Sequence, residues 1–206
     1  MDLIERRIVI GASWTHLLVR QLVRPLLGTP VTPNHLTTLR LVSGLAACAC
    51  FSLGTGSGMG WGGAIWLISA LLDRADGELA RIGNMRSESG HRYDYYSDVL
   101  VNTIFFVAIG LGLRNSWLGI WSIPLGLLAG AALFFCMWWS EMLERHSGPN
   151  IRAYGGRWGF DPDDALMLMA PFAWLDWLAP ILIGAAAVAP IVAVVTGMRL
   201  LRLRAA

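Results

Sequence analysis

The chain has 206 residues, 55% of them hydrophobic and only 15% charged, with ten tryptophans and a mean hydropathy of +0.55. So apolar a chain is too lipophilic for one soluble domain of this length and reads as an integral membrane protein. The net charge of +2 rests on 16 basic residues, all Arg, with no long basic run, which excludes nucleic acid as a partner.

Cys48, Cys50 and Cys136 lie in apolar stretches without CxxC spacing or clustered histidines, which argues against a disulfide scaffold and a zinc site. At the N-terminus, Met1 to Arg7 is charged and Ile8 to Val19 fairly apolar, the outline of a signal peptide. Trp14, Thr15 and His16 interrupt that run, and no small-x-small cleavage site follows. On a helical wheel Ile10, Trp14, Leu17, Leu18 and Leu22 share one face, and Ser13, His16, Arg20 and Arg24 share the other. Residues 1–32 are therefore predicted to be a cytoplasmic segment carrying an amphipathic helix that lies on the membrane surface.

Residues 33–206 are predicted to form an all-α membrane domain of six transmembrane helices, since a span needs about 20 mostly apolar residues. The first runs from Leu36 to Leu53 and ends at the turn Gly54 to Gly58; the second runs from Gly60 to about Arg81. His91 to Leu113 is the third, with Arg114 and Asn115 as a turn, and Trp117 to about Met142 is the fourth. Asp161 to Leu175 is a short fifth span, Asp176 to Pro180 turns the chain, and Ile181 to about Leu201 is the sixth. Apart from Arg114, the arginines group on one side of this arrangement, which places both termini in the cytoplasm. Gly126 and Gly130 form a GxxxG pair, which marks a close helix contact within the chain or a homodimer face.

The chemistry concentrates where the second span ends and the third begins. Asp73 and Asp76 are three residues apart and Asp94 and Asp98 four apart, so each pair shares one helix face. Two antiparallel helices then aim four carboxylates at one point at the edge of the apolar region, where charges need a watery or metal-filled cavity. With no Lys to compensate them, the acids call for a hard divalent cation, Mg²⁺ or Mn²⁺. Gly77 and Ala80 leave one helix face bare, Gly90 permits close approach, and Arg81 is placed to hold a phosphate.

Written out, Asp73-Arg74-Ala75-Asp76-Gly77-Glu78-Leu79-Ala80-Arg81, then eight residues, then Gly90-His91-Arg92-Tyr93-Asp94-Tyr95-Tyr96-Ser97-Asp98, resembles the signature of the CDP-alcohol phosphotransferase family, DxxDGxxAR-x8-GxxxDxxxD. All eight fixed positions match, and Pro33-Asn34-His35-Leu36-Thr37 is similar to the Pro-Asn-x-x-Thr that leads into the family's first span. The resemblance implies a transferase of phospholipid biosynthesis that moves a phosphoryl-linked group from a CDP-alcohol to a second alcohol and releases CMP. It implies two Mg²⁺ or Mn²⁺ ions on Asp73, Asp76, Asp94 and Asp98, with Asp98 also the general base. It further implies a CDP site of Asn34, Thr37, Asp73, Gly77, Ala80, Arg81 and Gly90.

The compact six-span chain looks like the bacterial branch of the family, which takes CDP-diacylglycerol from the inner membrane and works at its cytoplasmic face. The acceptor is expected to be a small polar alcohol, inositol phosphate or glycerol phosphate, met by Asn102, Arg145, Arg152 and Arg157. A water-soluble CDP-alcohol donor or a lipid acceptor is the alternative within the family. An ion-binding transporter is the alternative outside it, against which stand the absence of internal repeats and the gathering of the acids at one edge. Asp161-Pro162-Asp163-Asp164 reads as a helix start, and Trp138, Trp139, Trp174 and Trp177 read as interface anchors or packing.

Overall fold

The computed structural model describes residues 14–147 and 164–205, and among these it is built of helices and turns with no strand. In order they are α1 (Trp14–Val23), α2 (Pro33–Ser52), α3 (Gly56–Ile82), α4 (Glu88–Gly112), α5 (Ser122–Ser147), α6 (Asp164–Met167), α7 (Met169–Trp174) and α8 (Leu178–Ala205).

The helices that carry the signature begin on polar caps. Pro33 takes the first position of α2, where its missing N–H is no loss, and the Thr32 N–H donates to His35 Nδ1 at 3.2 Å. Thr55 caps α3 by accepting the Gly58 N–H and Ser87 caps α4 by accepting the Gly90 N–H, each at 3.0 Å. The connection from α3 to α4 is only Gly83 to Ser87, with Asn84 in the left-handed region at φ 52°. So short a link makes the two helices antiparallel, with the end of one beside the start of the other.

α3 and α4 each pack on α2, α5 lies against α4, and α8 against α5. At the centre Trp66 of α3 stacks on Phe105 of α4 with ring centroids 3.9 Å apart, and Phe51 of α2 meets Phe105 edge-on at 5.6 Å. The GxxxG pair is a contact within the chain. A Cβ on Gly126 would stand 2.6 Å from the Phe106 carbonyl oxygen, and one on Gly130 would stand 2.9 Å from that of Thr103, both on α4.

Among the described residues, three helices are long and apolar enough to cross a membrane, over Glu88–Asn115, Gly119–Arg145 and Leu178–Leu203. α2 and α3 fall short of that apolarity: α2 carries His35, Thr37, Thr38 and Arg40, and the first turns of α3 are crowded with glycine. Within the expected fifth span the apolar helix Ala165–Trp174 is short, and 161–163 lie outside the described residues. Regular α-helix in the expected fourth span starts at Ser122 and not Trp117, because Gly119 at φ 54° and a 3₁₀ turn over Gly119–Trp121 precede it.

The stripe of α1 that packs on protein differs from the predicted apolar face. Thr15, Val19 and Val23 are buried, and the two valines cluster with Leu36 and Leu79, while Leu18 and Leu22 are exposed. Ile10 and Ser13 lie outside the described residues.

Candidate active site

The last turns of α3 and the first turns of α4 bring carboxylates from both helices together, as the spacing demands. Oxygens of Asp73, Asp94 and Asp98 lie within 4.8 Å of one another. Asp76 does not join that trio among the described residues. It is buried one turn further along α3 and accepts a 2.6 Å hydrogen bond from the Thr37 hydroxyl of α2.

The cation that the sequence reading missed is Arg40. It reaches from α2 between the two acidic helices, with Nε 3.1 Å from Asp73 Oδ1 and Nη2 ion-paired to Asp98 Oδ1. Arg40 is only 4% exposed, so its charge needs these partners. The available signal was its position inside the first predicted span, because an intramembrane charge normally has an opposite partner.

With all three carboxylates ionised against one guanidinium, the cluster carries a formal charge of −2. Hard oxygen donors gathered this closely, with negative charge left over, fit a divalent cation such as Mg²⁺ or Mn²⁺.

Beside the cluster opens a cavity of about 480 Å³. Pro33, Asn34 and Thr37 line it from α2, Asp76, Gly77, Ala80 and Arg81 from α3, and Gly90, His91 and Asp94 from α4. Asp94 thus belongs to both the cavity and the carboxylate trio. Of the predicted CDP residues, Asn34, Thr37, Gly77, Ala80, Arg81 and Gly90 meet here, while Asp73 faces a separate small cavity with Arg40 and Asn102. Gly90 sits close to its neighbours: a Cβ there would stand 2.9 Å from Ser87 Oγ and 3.2 Å from Asn34 Oδ1, and those side chains would have to turn away. Arg86, on the α3–α4 connection, adds a second cation to the lining that the signature does not include.

Of the predicted acceptor residues, the two that are described, Asn102 and Arg145, line different cavities. Asn102 is buried beside Arg40 and Asp73. Arg145 is held on Glu141 at 2.7 Å and lines a cleft of about 240 Å³ with Tyr95, Tyr96 and Trp138. Arg152 and Arg157 lie outside the described residues. Trp174, expected as anchor or packing, donates its indole N–H to the Gly60 carbonyl at 3.1 Å.

A second group of charges adjoins the cavity. Glu78 Oε1 lies 3.0 Å from His16 Nδ1 of α1 and 2.9 Å from Arg81 Nη2, and Arg74 Nη1 lies 2.7 Å from His16 Nε2.

Compared with known proteins, the chain matches the family model described as CDP-alcohol phosphatidyltransferase over residues 30–199. The comparison with curated proteins finds no match.

Proposed function

Because the chain belongs to the CDP-alcohol phosphatidyltransferase family, we propose that it transfers the phosphatidyl group of CDP-diacylglycerol to a small polar alcohol, releasing CMP. Phosphatidyl transfer in phospholipid synthesis is the family's chemistry, and long apolar helices make the chain a membrane protein. The observation that carries the fuller reading is one cavity lined by Asn34, Thr37, Asp76, Gly77, Ala80, Arg81, Gly90 and Asp94, joined through Asp94 to the Asp73, Asp94 and Asp98 trio.

In this reading Asp73, Asp76, Asp94 and Asp98 hold two Mg²⁺ or Mn²⁺ ions, which when bound neutralise the pyrophosphate and the charge gathering on departing CMP. Gly77 and Ala80 present little bulk and admit the cytidine against α3, and Arg81 contacts the donor phosphates. The Thr37 hydroxyl fixes the Asp76 carboxylate through its 2.6 Å bond. Arg40 pairs with Asp98, and Asp98 takes the proton of the acceptor hydroxyl. That hydroxyl oxygen bonds to the phosphatidyl phosphorus as the pyrophosphate P–O bond breaks, and CMP leaves with its electron pair.

Residues 1–32 serve as the cytoplasmic interfacial segment, with exposed Leu18 and Leu22 turned to lipid, and 33–206 as a six-helix domain with both termini in the cytoplasm of a bacterium. Acyl chains of the donor then stay in the bilayer beside the apolar helices while its CDP reaches the charged end. Arg152 and Arg157 are assigned to the acceptor phosphate of inositol phosphate or glycerol phosphate.

CMP release by purified protein in detergent with Mg²⁺ or Mn²⁺ tests the proposal. CDP-diacylglycerol is paired in turn with inositol 1-phosphate, glycerol 3-phosphate, inositol, glycerol and serine, with Asp98→Asn as control. One of the phosphorylated acceptors is expected to raise CMP release far above the control. If none of the five does, the donor assignment is wrong, and water-soluble CDP-alcohols replace CDP-diacylglycerol in the same assay.

A further inference from the structure

Glu78 is 6% exposed, far more buried than a carboxylate on a solvated helix face. Its burial is made tolerable by two partners from two helices, His16 Nδ1 at 3.0 Å and Arg81 Nη2 at 2.9 Å. Both imidazole nitrogens also meet arginines: Arg74 Nη1 lies 2.7 Å from His16 Nε2, and Arg81 Nη2 lies 3.2 Å from His16 Nδ1. On its other side Arg81 donates its Nε–H back to the Gly77 carbonyl of its own helix at 3.1 Å. The guanidinium that lines the cavity is therefore held by the Gly77 carbonyl, by Glu78 and by the His16 ring of the N-terminal helix.

We propose that Glu78 and His16 are positioning residues for the CDP-linked donor, locking Arg81 at the cavity and making α1 part of the binding machinery as well as a surface anchor. The proposal rests on the reading of that cavity as the CDP site. A free arginine side chain loses rotamer freedom when it grips a phosphate; one already held in place loses less, and the difference appears as affinity. Neither Glu78 nor His16 lines the cavity, so both act through Arg81.

The test is a double-mutant cycle on the full-length protein in detergent with Mn²⁺, read as equilibrium binding of radiolabelled CDP. Glu78→Gln keeps the side chain's size and removes its charge, and is expected to weaken CDP binding about 10-fold. Arg81→Ala weakens it at least as much, and the double variant matches Arg81→Ala alone, since a residue acting through another is silent once the other is gone. In turnover, Glu78→Gln raises the KM of the CDP-linked donor more than it lowers kcat, and Glu78→Asp recovers part of the loss. His16→Ala carries the same cycle if Glu78→Gln does not fold.

If Glu78→Gln costs the same factor with and without Arg81, or costs nothing, the latch is refuted while the CDP cavity stands. If the wild type binds no CDP, or Arg81→Ala binds it fully, the cavity assignment itself falls and takes the latch with it.

Discussion

Two cavities of nearly equal size sit at opposite ends of the α2, α3 and α4 bundle, about 480 Å³ at the signature end and about 510 Å³ at the other. Volume does not tell them apart; what lines them does. The signature end gathers Asp76, Arg81, Arg86, His91 and Asp94, and its neighbour cluster adds Arg40, Asp73 and Asp98. The far end is walled by Gly54, Gly56, Gly60 and Gly112, with Thr55, Asn115 and Ser116, and Asp176 is its charged member among the described residues. Its nearby cation, Arg114, donates to the carbonyls of Ser52 at 2.9 Å and Leu111 at 2.6 Å, closing the C-terminal ends of α2 and α4. The same three helices thus carry opposing charges to a common point at one end and spare backbone at the other. Convergence of charge, and not room, marks the end where phosphoryl chemistry belongs.

The largest effect that separates the two ends is expected from Asp98→Asn, which should cut acceptor-dependent CMP release by about 10³-fold through loss of the base. Full activity in that variant would remove Asp98 from the role. Next, Arg40→Met strips the half-buried Asp73 and Asp98 of their cation and should cost about 3 kcal/mol of stability, seen as a lower thermal unfolding midpoint in detergent that Mg²⁺ partly restores. An unchanged midpoint would mean that the Arg40 pairs hold nothing together.

Thr37→Val keeps shape but removes the 2.6 Å bond to Asp76. It should raise the donor's KM about 10-fold, as loss of a buried hydrogen bond to a charged group does. The smallest effect belongs to the far end: Asp176→Asn should leave CMP release within about 2-fold of wild type, because surface changes away from functional groups rarely matter more. A large loss there would overturn the contrast between the cavities.

How far the sequence foretold this depends on whether a feature is local or assembled. The pairing of carboxylates was legible because spacings of three and four along a helix fix a shared face, and a short polar connection folds α4 back on α3. Asp76 stands apart for a reason the spacing conceals. Its carboxylate accepts from the Thr37 hydroxyl, which comes from α2 and leaves no trace in the spacing of the acids.

Arg40 escaped notice because its partners lie on two other helices, and no periodicity within α2 announces them. The same holds for α1. Leu18 and Leu22 are more hydrophobic than the Thr15, Val19 and Val23 stripe, so the wheel favoured the leucines, yet the smaller stripe is what fits against Leu36 and Leu79. Glu78 occupies a variable position of the signature, and beyond Arg81 of its own helix its partner His16 comes from α1, out of reach of any spacing along α3. The GxxxG pair was recognisable, but its use inside the chain became clear only with α4 seated against it.

The central claim is that the charged end is a divalent-metal site serving a CDP-linked donor. Crystals of the full chain soaked with Mn²⁺ and CDP, with data collected at the manganese absorption edge, test it most directly. The account predicts anomalous peaks within ordinary oxygen-ligand distance of Asp73, Asp94 and Asp98, with the CDP phosphates between them and Arg81. Manganese bound elsewhere, or CDP seated in the far cavity, would contradict it.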